Sequence, residues 1–295
     1  MTRPANAWAA LALAAAWLCF TVEIVLVLLL AGELSVWQMA LVRILVQLAV
    51  LAPLLLRRRL AGLRTRRLRL HALRTCFSCS GMVLYYLAFT ALPVAVATTL
   101  TFSQAMILVV LAALVLGERV GWARGLATLV GFAGVLVVMR PGLGGYDPAM
   151  LLALGCAAAS AALMLVTRQL GQTETRLAIM GWAALLSTVL LLPPALLAWQ
   201  PVRLDRLPWL AVIGAAGTVG QFLLVSAFQR GEASALAPVD YVRLIFAVAA
   251  GFFVFGEIPD LATWIGSAVI LTSAVAMTRH EHRLARARAT SGSER

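Results

Sequence analysis

Two stretches of this sequence share one pattern and decide its fold: ALPVAVATTLTFSQAMILVVLAALVLGERV at 91–120 and RGEASALAPVDYVRLIFAVAAGFFVFGEIPD at 230–260. Each has a proline before a long apolar run that ends in Gly-Glu. A constant offset of 139 residues superimposes them without gaps and extends to both sides, where it pairs Gly81 with Gly220, Ala88 with Ala227, Phe89 with Phe228, Val109 with Val248 and Arg140 with Arg279. The chain therefore carries an internal repeat.

The composition around these stretches is that of a membrane protein. Hydrophobic residues make up 62% of the 295 residues before glycine is counted, whereas a soluble domain has about 45–50% with glycine included. A membrane helix needs about 20 mostly apolar residues. Ten segments of this kind occur, at 7–31, 37–56, 71–91, 94–116, 122–139, 149–167, 177–198, 208–228, 233–256 and 260–278. We expect an all-α integral membrane protein with ten transmembrane helices.

The offset gives each half five helices, and five is an odd number. Equivalent helices then cross the bilayer in opposite directions, so the sequence predicts two inverted five-helix repeats. We expect the first repeat at 1–141, the second at 142–279 and a basic cytoplasmic tail at 280–295. Inverted repeats of this kind are typical of secondary transporters that work by alternating access.

The charge distribution predicts the topology. The net charge is +12, and all 24 basic residues are arginine. With both termini inside, 19 arginines fall in cytoplasmic loops and tails, and only Arg140, Arg203 and Arg206 fall in outer loops. Basic loops stay on the cytoplasmic side, so we expect an N-in, C-in protein of the bacterial inner membrane. The arginine cluster at 57–69 is interpreted as a contact with lipid headgroups, and no nucleic-acid partner is expected.

The two quoted stretches also carry a family resemblance. They resemble the paired EamA-type repeats of the drug/metabolite transporter superfamily. This resemblance implies ten helices around a central cavity lined by both halves. It further implies transport of small metabolites such as amino acids, nucleobase-like or vitamin-like compounds and metallophores, frequently outward, and it does not specify the substrate.

Four ionisable residues fall inside the predicted spans, where a charge is expensive and indicates a functional site. Glu23 and Arg43 each lie eight residues from the loop that joins their helices, roughly 12 Å below the outer surface, so they can face each other. One interpretation is a structural ion pair. The other is a substrate site in which Arg43 binds a carboxylate or phosphate and Glu23 binds an amine or a proton.

The other two ionisable residues, Asp240 and Arg243, share one face of the ninth helix. Arg243 lies roughly 15 Å deep, near the bilayer midplane, and its repeat equivalent is Gln104. We expect Gln104, Asp240 and Arg243 to border the central cavity; the alternative is a neutralised packing pair.

Aromatic residues complete the predicted substrate site. Tyr85, Trp182 and Tyr241 lie in the spans, and Trp182 is the repeat equivalent of Arg43. Tyrosine and tryptophan in membrane helices also serve in packing and at interfaces. A site with charge from one half and aromatic surface from the other suits a zwitterion such as an amino acid or its derivative.

A structural or gating role is expected for the residues that end or bend the repeated helices. These are Gly117 and Glu118 in the first half, and Pro238, Gly256 and Glu257 in the second. Glycine can terminate a helix, and proline near a helix start can act as a hinge.

The sequence lacks the common motifs by which enzymes are recognised. HExxH, GxSxG and P-loop patterns are absent, and the Cys76-Cys79 pair lies in an apolar segment without a second pair, so we expect no enzyme, cofactor or metal. The leading hypothesis is export of an amino-acid-type or amino-acid-derived carboxylate, including an opine-like metallophore, with protons as a candidate coupling ion through Glu23 or Asp240. The alternative is uptake of a vitamin-like or nucleoside-like compound such as a flavin. A channel and an intramembrane enzyme are the remaining alternatives.

Overall fold

The structure, a computed structural model, describes residues 3–57, 63, 65–117, 121–140, 147–230, 236, 239 and 241–276. Within these ranges the regular elements are helices, and no strand occurs. The helices are α1 (Arg3–Leu30), α2 (Val36–Arg57), α3 (Leu68–Ala91), α4 (Val94–Thr101), α5 (Gln104–Leu116), α6 (Trp122–Met139), α7 (Met150–Gly171), α8 (Arg176–Leu197), α9 (Leu207–Arg230), α10 (Val242–Phe255) and α11 (Leu261–Ala276).

Seven helical segments of the described chain are long and apolar enough to cross a membrane. They are Ala7–Leu30, Val36–Pro53, Leu68–Ala91, Val94–Val115, Met150–Gly171, Leu177–Leu197 and Leu204–Ala227. Three shorter apolar helices accompany them, at Gly125–Met139, Val242–Phe255 and Leu261–Ala276. The prediction of an all-helical chain with several membrane spans agrees with this architecture.

Polar contacts between loops group the helix ends at two sides of the bundle. At the first side, Arg206 donates to both carboxylate oxygens of Glu33 at 2.8 and 2.5 Å, and Gln38 exchanges two hydrogen bonds of 3.1 Å with the backbone of Gln200. We call this side the Glu33 end. Arg140 pairs with Asp260 and thereby joins the loops after α6 and α10.

The opposite side, the Leu63 end, holds the loops after α2 and α7. There the Thr65 hydroxyl donates to Glu174 Oε1 at 2.7 Å, and the Trp182 indole donates to the Leu63 carbonyl at 2.9 Å. These contacts tie the start of α3 to the turn between α7 and α8.

One predicted helix is interrupted. The sequence predicts a single span over 94–116, whereas α4 ends at Thr101 and α5 begins at Gln104. The backbone N–H groups of Phe102 and Ser103 bond to carbonyls three residues earlier rather than four. The hydroxyls of Thr101 and Ser103 also bond to carbonyls three residues earlier, at 2.7 Å each, and such side-chain bonds compete with helix hydrogen bonds.

The two Gly-Glu sites end α5 and α10 with the same backbone conformation. Gly117 has φ 65° and ψ 20°, and Gly256 has φ 67° and ψ 18°, a left-handed conformation that favours glycine. Beyond Gly256, Glu257 Oε2 accepts a 2.8 Å hydrogen bond from the backbone N–H of Val94, the first residue of α4. Glu257 thus satisfies one of the unpaired donors at that helix start.

Candidate functional site

A small polar and aromatic cavity of about 40 Å³ lies between α1, α3, α4 and α10. Its walls combine four aromatic rings, three threonine hydroxyls and one cation. The lining residues are Trp17, Phe20, Thr21, Ile24, Tyr85, Phe89, Val94, Thr98, Thr101, Arg243 and Ala247. Helices of both halves of the chain therefore contribute to it.

Arg243 is the cation of this cavity, and aromatic rings hold it in place. Its guanidinium carbon lies 3.7 Å from the ring centroid of Phe102 and 5.0 Å from that of Trp17. Both distances fall within the range of cation–π attraction. Arg243 Nε has no hydrogen-bond partner among the residues that the structure describes. A planar guanidinium held this way presents N–H donors suited to a carboxylate or phosphate.

Two pairs of packed aromatic rings lie near Arg243. Tyr85 packs on Phe89 with ring centroids 4.3 Å apart. Phe102 packs on Tyr241 with centroids 5.8 Å apart. Phe102 lies in the break between α4 and α5, and Tyr241 directly precedes α10. The break in the helix thus brings an aromatic ring beside the cavity cation.

Glu23 and Arg43 form a second buried cluster next to the cavity, between α1, α2 and α3. Arg43 Nε lies 2.7 Å from Glu23 Oε1, and the Tyr86 hydroxyl donates to the same oxygen at 2.5 Å. The exposed fraction of Glu23 is 3%. Arg43 Nη1 also contacts Met82 Sδ at 3.5 Å. Neither charged residue of this pair lines the cavity of Arg243.

Comparison with known proteins identifies the family of this bundle. A model of the EamA-like transporter family matches the chain twice, over residues 7–140 and 147–279. The chain belongs to the EamA-like transporter family. Together the two matches cover nearly the whole of the described bundle, and the resemblance predicted from the Gly-Glu stretches is confirmed.

Curated relatives of the chain are named for the transport of different compounds. The chain is 29% identical over 242 residues to an S-adenosylmethionine uptake transporter of Rickettsia bellii, covering 82% of this chain and 83% of the relative. It is 30% identical over 228 residues to a riboflavin transporter of Vibrio cholerae, covering 76% of each. A pseudopaline exporter of Pseudomonas aeruginosa is 27% identical over 203 residues, covering 67% of this chain and 70% of the exporter.

A crystal structure of another protein has the same fold. It aligns with a TM-score of 0.59 and 19% identity over 92% of this chain and 98% of that one. The family match and the curated relatives show that the chain is a multi-pass membrane transporter of the EamA-like family. The relatives leave its substrate open.

The remaining predicted site residues of this EamA-like chain lie in different places. Gln104 begins α5 and is not among the residues that line the cavity. Trp182 lies at the Leu63 end, where its ring is 6.2 Å from that of His71, away from Arg43. Tyr241 contacts Phe102. Asp240, Pro238 and Glu118 lie outside the described residues.

Two aromatic residues that matter here were absent from the predicted site. Trp17 and Phe102 flank Arg243. Tyr86, one of the aromatic residues that the sequence places in the spans beside the cavity, bonds to Glu23. The repeat carried a signal for Phe102, because it is the offset equivalent of Tyr241. Nothing in the spacing of α1 indicated Trp17. Among the described residues, no three His, Cys, Asp or Glu side chains come together as a metal site requires.

Proposed function

We propose that this protein is a secondary transporter that moves a small carboxylate-bearing metabolite by alternating access. Its architecture in this proposal is ten spans in two inverted five-helix repeats, 1–141 and 142–279, followed by the tail 280–295. The observation that carries the proposal is Arg243, stacked on Phe102 in a cavity lined by both halves. The seven long and three shorter apolar helices of the described chain support the ten spans of this proposal.

Contacts between α6 and α11 support a two-fold relation between the halves. A Cβ added at Gly131 would lie 2.9 Å from Ser273 Oγ, and one added at Gly134 would lie 2.9 Å from Ile270 Cγ1. The offset of 139 converts position 131 to 270 and position 134 to 273. One contact is therefore the counterpart of the other when the two halves are exchanged.

The position of Trp182 supports inversion in particular. Arg43 lies eight residues along α2 from Ser35, near the Glu33 end, and its repeat equivalent Trp182 bonds to Leu63 at the opposite end. Inverted equivalents lie at similar depths from opposite surfaces. Only equivalents near the midplane can then meet, as Phe102 and Tyr241 do.

The cavity's size supports a conformational cycle. Sites for small molecules usually enclose about 300–1,000 Å³, whereas this cavity encloses about 40 Å³. A metabolite would therefore need the helices to separate. In our proposal the cavity opens alternately toward the Glu33 end and the Leu63 end as the two repeats rock.

The chemistry of the walls favours an amino-acid-derived carboxylate, moved outward, as the substrate. The Arg243 guanidinium binds the carboxylate, and Tyr85 and Tyr241 supply aromatic surface. Gln104 and Asp240 complete the proposed substrate site. Glu23 and Arg43 form the neighbouring charged site, which engages an amine, a carboxylate or a coupling proton. The name of the pseudopaline exporter supports this direction and class.

Uptake of a flavin-like compound is the second candidate. The aromatic rings of Trp17, Phe20, Tyr85 and Phe89 favour a planar ligand, and the three threonine hydroxyls suit a polyol chain. The riboflavin relative supports this alternative. Recognition of a flavin-like compound makes no use of a carboxylate, so uptake of such a compound should depend less on the charge of Arg243.

Purified protein in proteoliposomes tests the proposal with radiolabelled S-adenosylmethionine, riboflavin, pseudopaline and the proteinogenic amino acids as probes. We expect saturable flux of a carboxylate-bearing probe that is lost in Arg243→Ala. Arg203→Ala, which removes an exposed arginine, is the matched control and should behave as wild type. Saturable flux of riboflavin alone would favour the second candidate. Unsaturable flux of all probes would indicate a channel and overturn the proposal.

For orientation, we propose a bacterial inner-membrane protein with both termini in the cytoplasm. The Leu63 end is then cytoplasmic, because it adjoins the arginine cluster at 57–69. Single cysteines introduced at position 144 and position 291, in a variant without the four native cysteines, test this with an impermeant maleimide. Labelling at 144 and protection at 291 in intact cells are expected.

A further inference from the structure

Helix α9 approaches α1 and α2 through three glycines that face different neighbours. A Cβ added at Gly214 would lie 2.5 Å from Val46 Cβ, and one added at Gly220 would lie 3.0 Å from Phe20 Cε1. A Cβ at Gly217 would instead lie 2.5 Å from Arg43 Nε and 2.6 Å from Glu23 Oε2. Gly214 and Gly220 therefore contact apolar side chains, and Gly217 contacts the buried charge pair.

The charge pair has little room to yield to such a methyl group. Glu23 Oε1 is held between Arg43 Nε and the Tyr86 hydroxyl, at 2.7 and 2.5 Å. Arg43 also contacts Met82 Sδ on α3. A methyl at position 217 must displace the carboxylate and guanidinium from this arrangement, or push α9 away from them.

The second oxygen of Glu23 is unusual. Glu23 Oε2 is buried and has no hydrogen-bond partner in the part of the chain that the structure describes, and it points at Gly217. An unpaired buried acceptor on a charged group costs stability. Residue 217 is thus the position of α9 that lies against this unpaired oxygen.

We propose that Gly217 is a positioning residue for transport, which acts by setting the geometry of the Glu23–Arg43 pair rather than the spacing of the helices. Gly217 belongs to the second repeat, whereas Glu23, Arg43 and Tyr86 belong to the first. The contact therefore joins the two units that move in the proposed function, on which this inference rests. Gly214, three residues earlier, sets helix spacing through Val46.

Two pairs of variants separate the two kinds of contact. Gly217→Ala is compared with Gly214→Ala, since both add one methyl at a site 2.5 Å from its nearest neighbour. Glu23→Asp shortens the carboxylate and should relieve Gly217→Ala. Val46→Ala removes the apolar obstacle and should relieve Gly214→Ala. Each pair is measured as a double-mutant cycle.

The readouts are the melting temperature in detergent and the uptake of radiolabelled S-adenosylmethionine and riboflavin in proteoliposomes. We expect Gly217→Ala to raise KM roughly tenfold, as misplacement of a binding group does. The double variant Gly217→Ala/Glu23→Asp should have a lower KM than Gly217→Ala and a higher melting temperature than the sum of the single effects predicts. Rescue of Gly217→Ala by Val46→Ala instead would overturn the proposal.

A charge-free background keeps the test decisive even if Gly217→Ala alone does not fold. In Glu23→Ala/Arg43→Ala protein, Gly217→Ala should raise the melting temperature, because alanine is the better helix former once the charges are gone. A lower melting temperature there would show that position 217 acts through helix spacing. This measurement needs no substrate, so the melting temperatures decide the positioning inference even where the wild type moves neither probe. Failure of the proposed function, tested with the full set of probes, is thereby distinguished from failure of this inference.

Discussion

Phe102 and Tyr241 lie 139 residues apart in the sequence, yet their rings pack with centroids 5.8 Å apart. Each holds the same position in its half of the chain, at a point where a helix begins anew. In the inverted repeat that we propose, equivalent residues that touch lie beside the two-fold axis. Arg243, 3.7 Å from the Phe102 ring, then lies close to that axis, where a site exposed alternately to both surfaces should be.

Two substitutions of Arg243 should show how much of its role in transport depends on its charge and how much on its planar guanidinium group. We expect Arg243→Ala to abolish transport and Arg243→Lys to retain a small part of it, because lysine keeps the charge but loses the planar stacking on Phe102. Initial rates in proteoliposomes measure this, with membrane insertion followed by quantitative fluorescence of a fused reporter. Wild-type rates in Arg243→Ala would exclude this residue from the substrate site.

Removing one member of the Glu23–Arg43 pair should destabilise the protein more than replacing both members. Arg43→Met leaves the Glu23 carboxylate buried without its cation and should cost about 3–5 kcal/mol. The double variant Glu23→Gln/Arg43→Met should recover most of this loss, because no unpaired charge remains and glutamine can still accept from Tyr86. Thermal unfolding in detergent measures both. Equal losses in the single and double variants would mean that Glu23 is not held as a buried charge.

The strength of the contact between Phe102 and Tyr241 can be measured. A double-mutant cycle of Phe102→Leu and Tyr241→Leu should give a coupling of about 0.5–1.5 kcal/mol, the usual value for an aromatic pair. The matched control pairs Phe102→Leu with Phe253→Leu, since Phe253 is 83% exposed on the far side of α10. A coupling free energy in the control as large as that between Phe102 and Tyr241 would contradict a specific contact.

The cap of α4 by Glu257 predicts a graded effect. Glu257→Gln retains an oxygen that can accept from the Val94 N–H, whereas Glu257→Ala removes it and should cost about 1 kcal/mol. Hydrogen exchange at the first turn of α4 is the direct measurement. The alanine variant should exchange faster there, and the glutamine variant should stay near wild type. Identical protection in all three proteins would contradict a capping role of Glu257.

Acid should loosen the start of α11. Hydrogen bonds from Thr263 and from Arg140 lower the pKa of Asp260 from its ordinary value to about 2. Because the folded-state pKa is depressed, this stabilisation is full above the ordinary pKa near 4 and is lost as the pH falls toward 2. The difference in melting temperature between wild type and Asp260→Asn, measured from pH 5 to pH 2, should shrink over that window. A constant difference would contradict the assignment.

The sequence predicts the helices well because long apolar segments with short connections leave few alternatives. It predicts that Glu23 and Arg43 can face each other, since both are counted from one short loop, and the ion pair joins them at 2.7 Å. It does not predict the break at Phe102, which depends on local competition by the hydroxyls of Thr101 and Ser103.

Two other features escape the sequence for geometric reasons. Trp182 is the repeat equivalent of Arg43, but it bonds to Leu63. In the inverted repeat that we propose, equivalent residues away from the midplane lie near opposite surfaces, so their equivalence gives no contact. The spacing of Gly214, Gly217 and Gly220 indicates close helix packing. It cannot tell that only Gly217 faces charges, because that depends on the rotation of α9 against α1 and α2.

The central claim is alternating access to a site at Arg243, and counterflow tests it most directly. Proteoliposomes are loaded with an unlabelled carboxylate-bearing compound that wild type transports and are then exposed to a trace of its labelled form. A carrier predicts transient accumulation of label above equilibrium in wild type and none in Arg243→Ala. Label that rises only to equilibrium, at a rate independent of internal compound, would contradict the account.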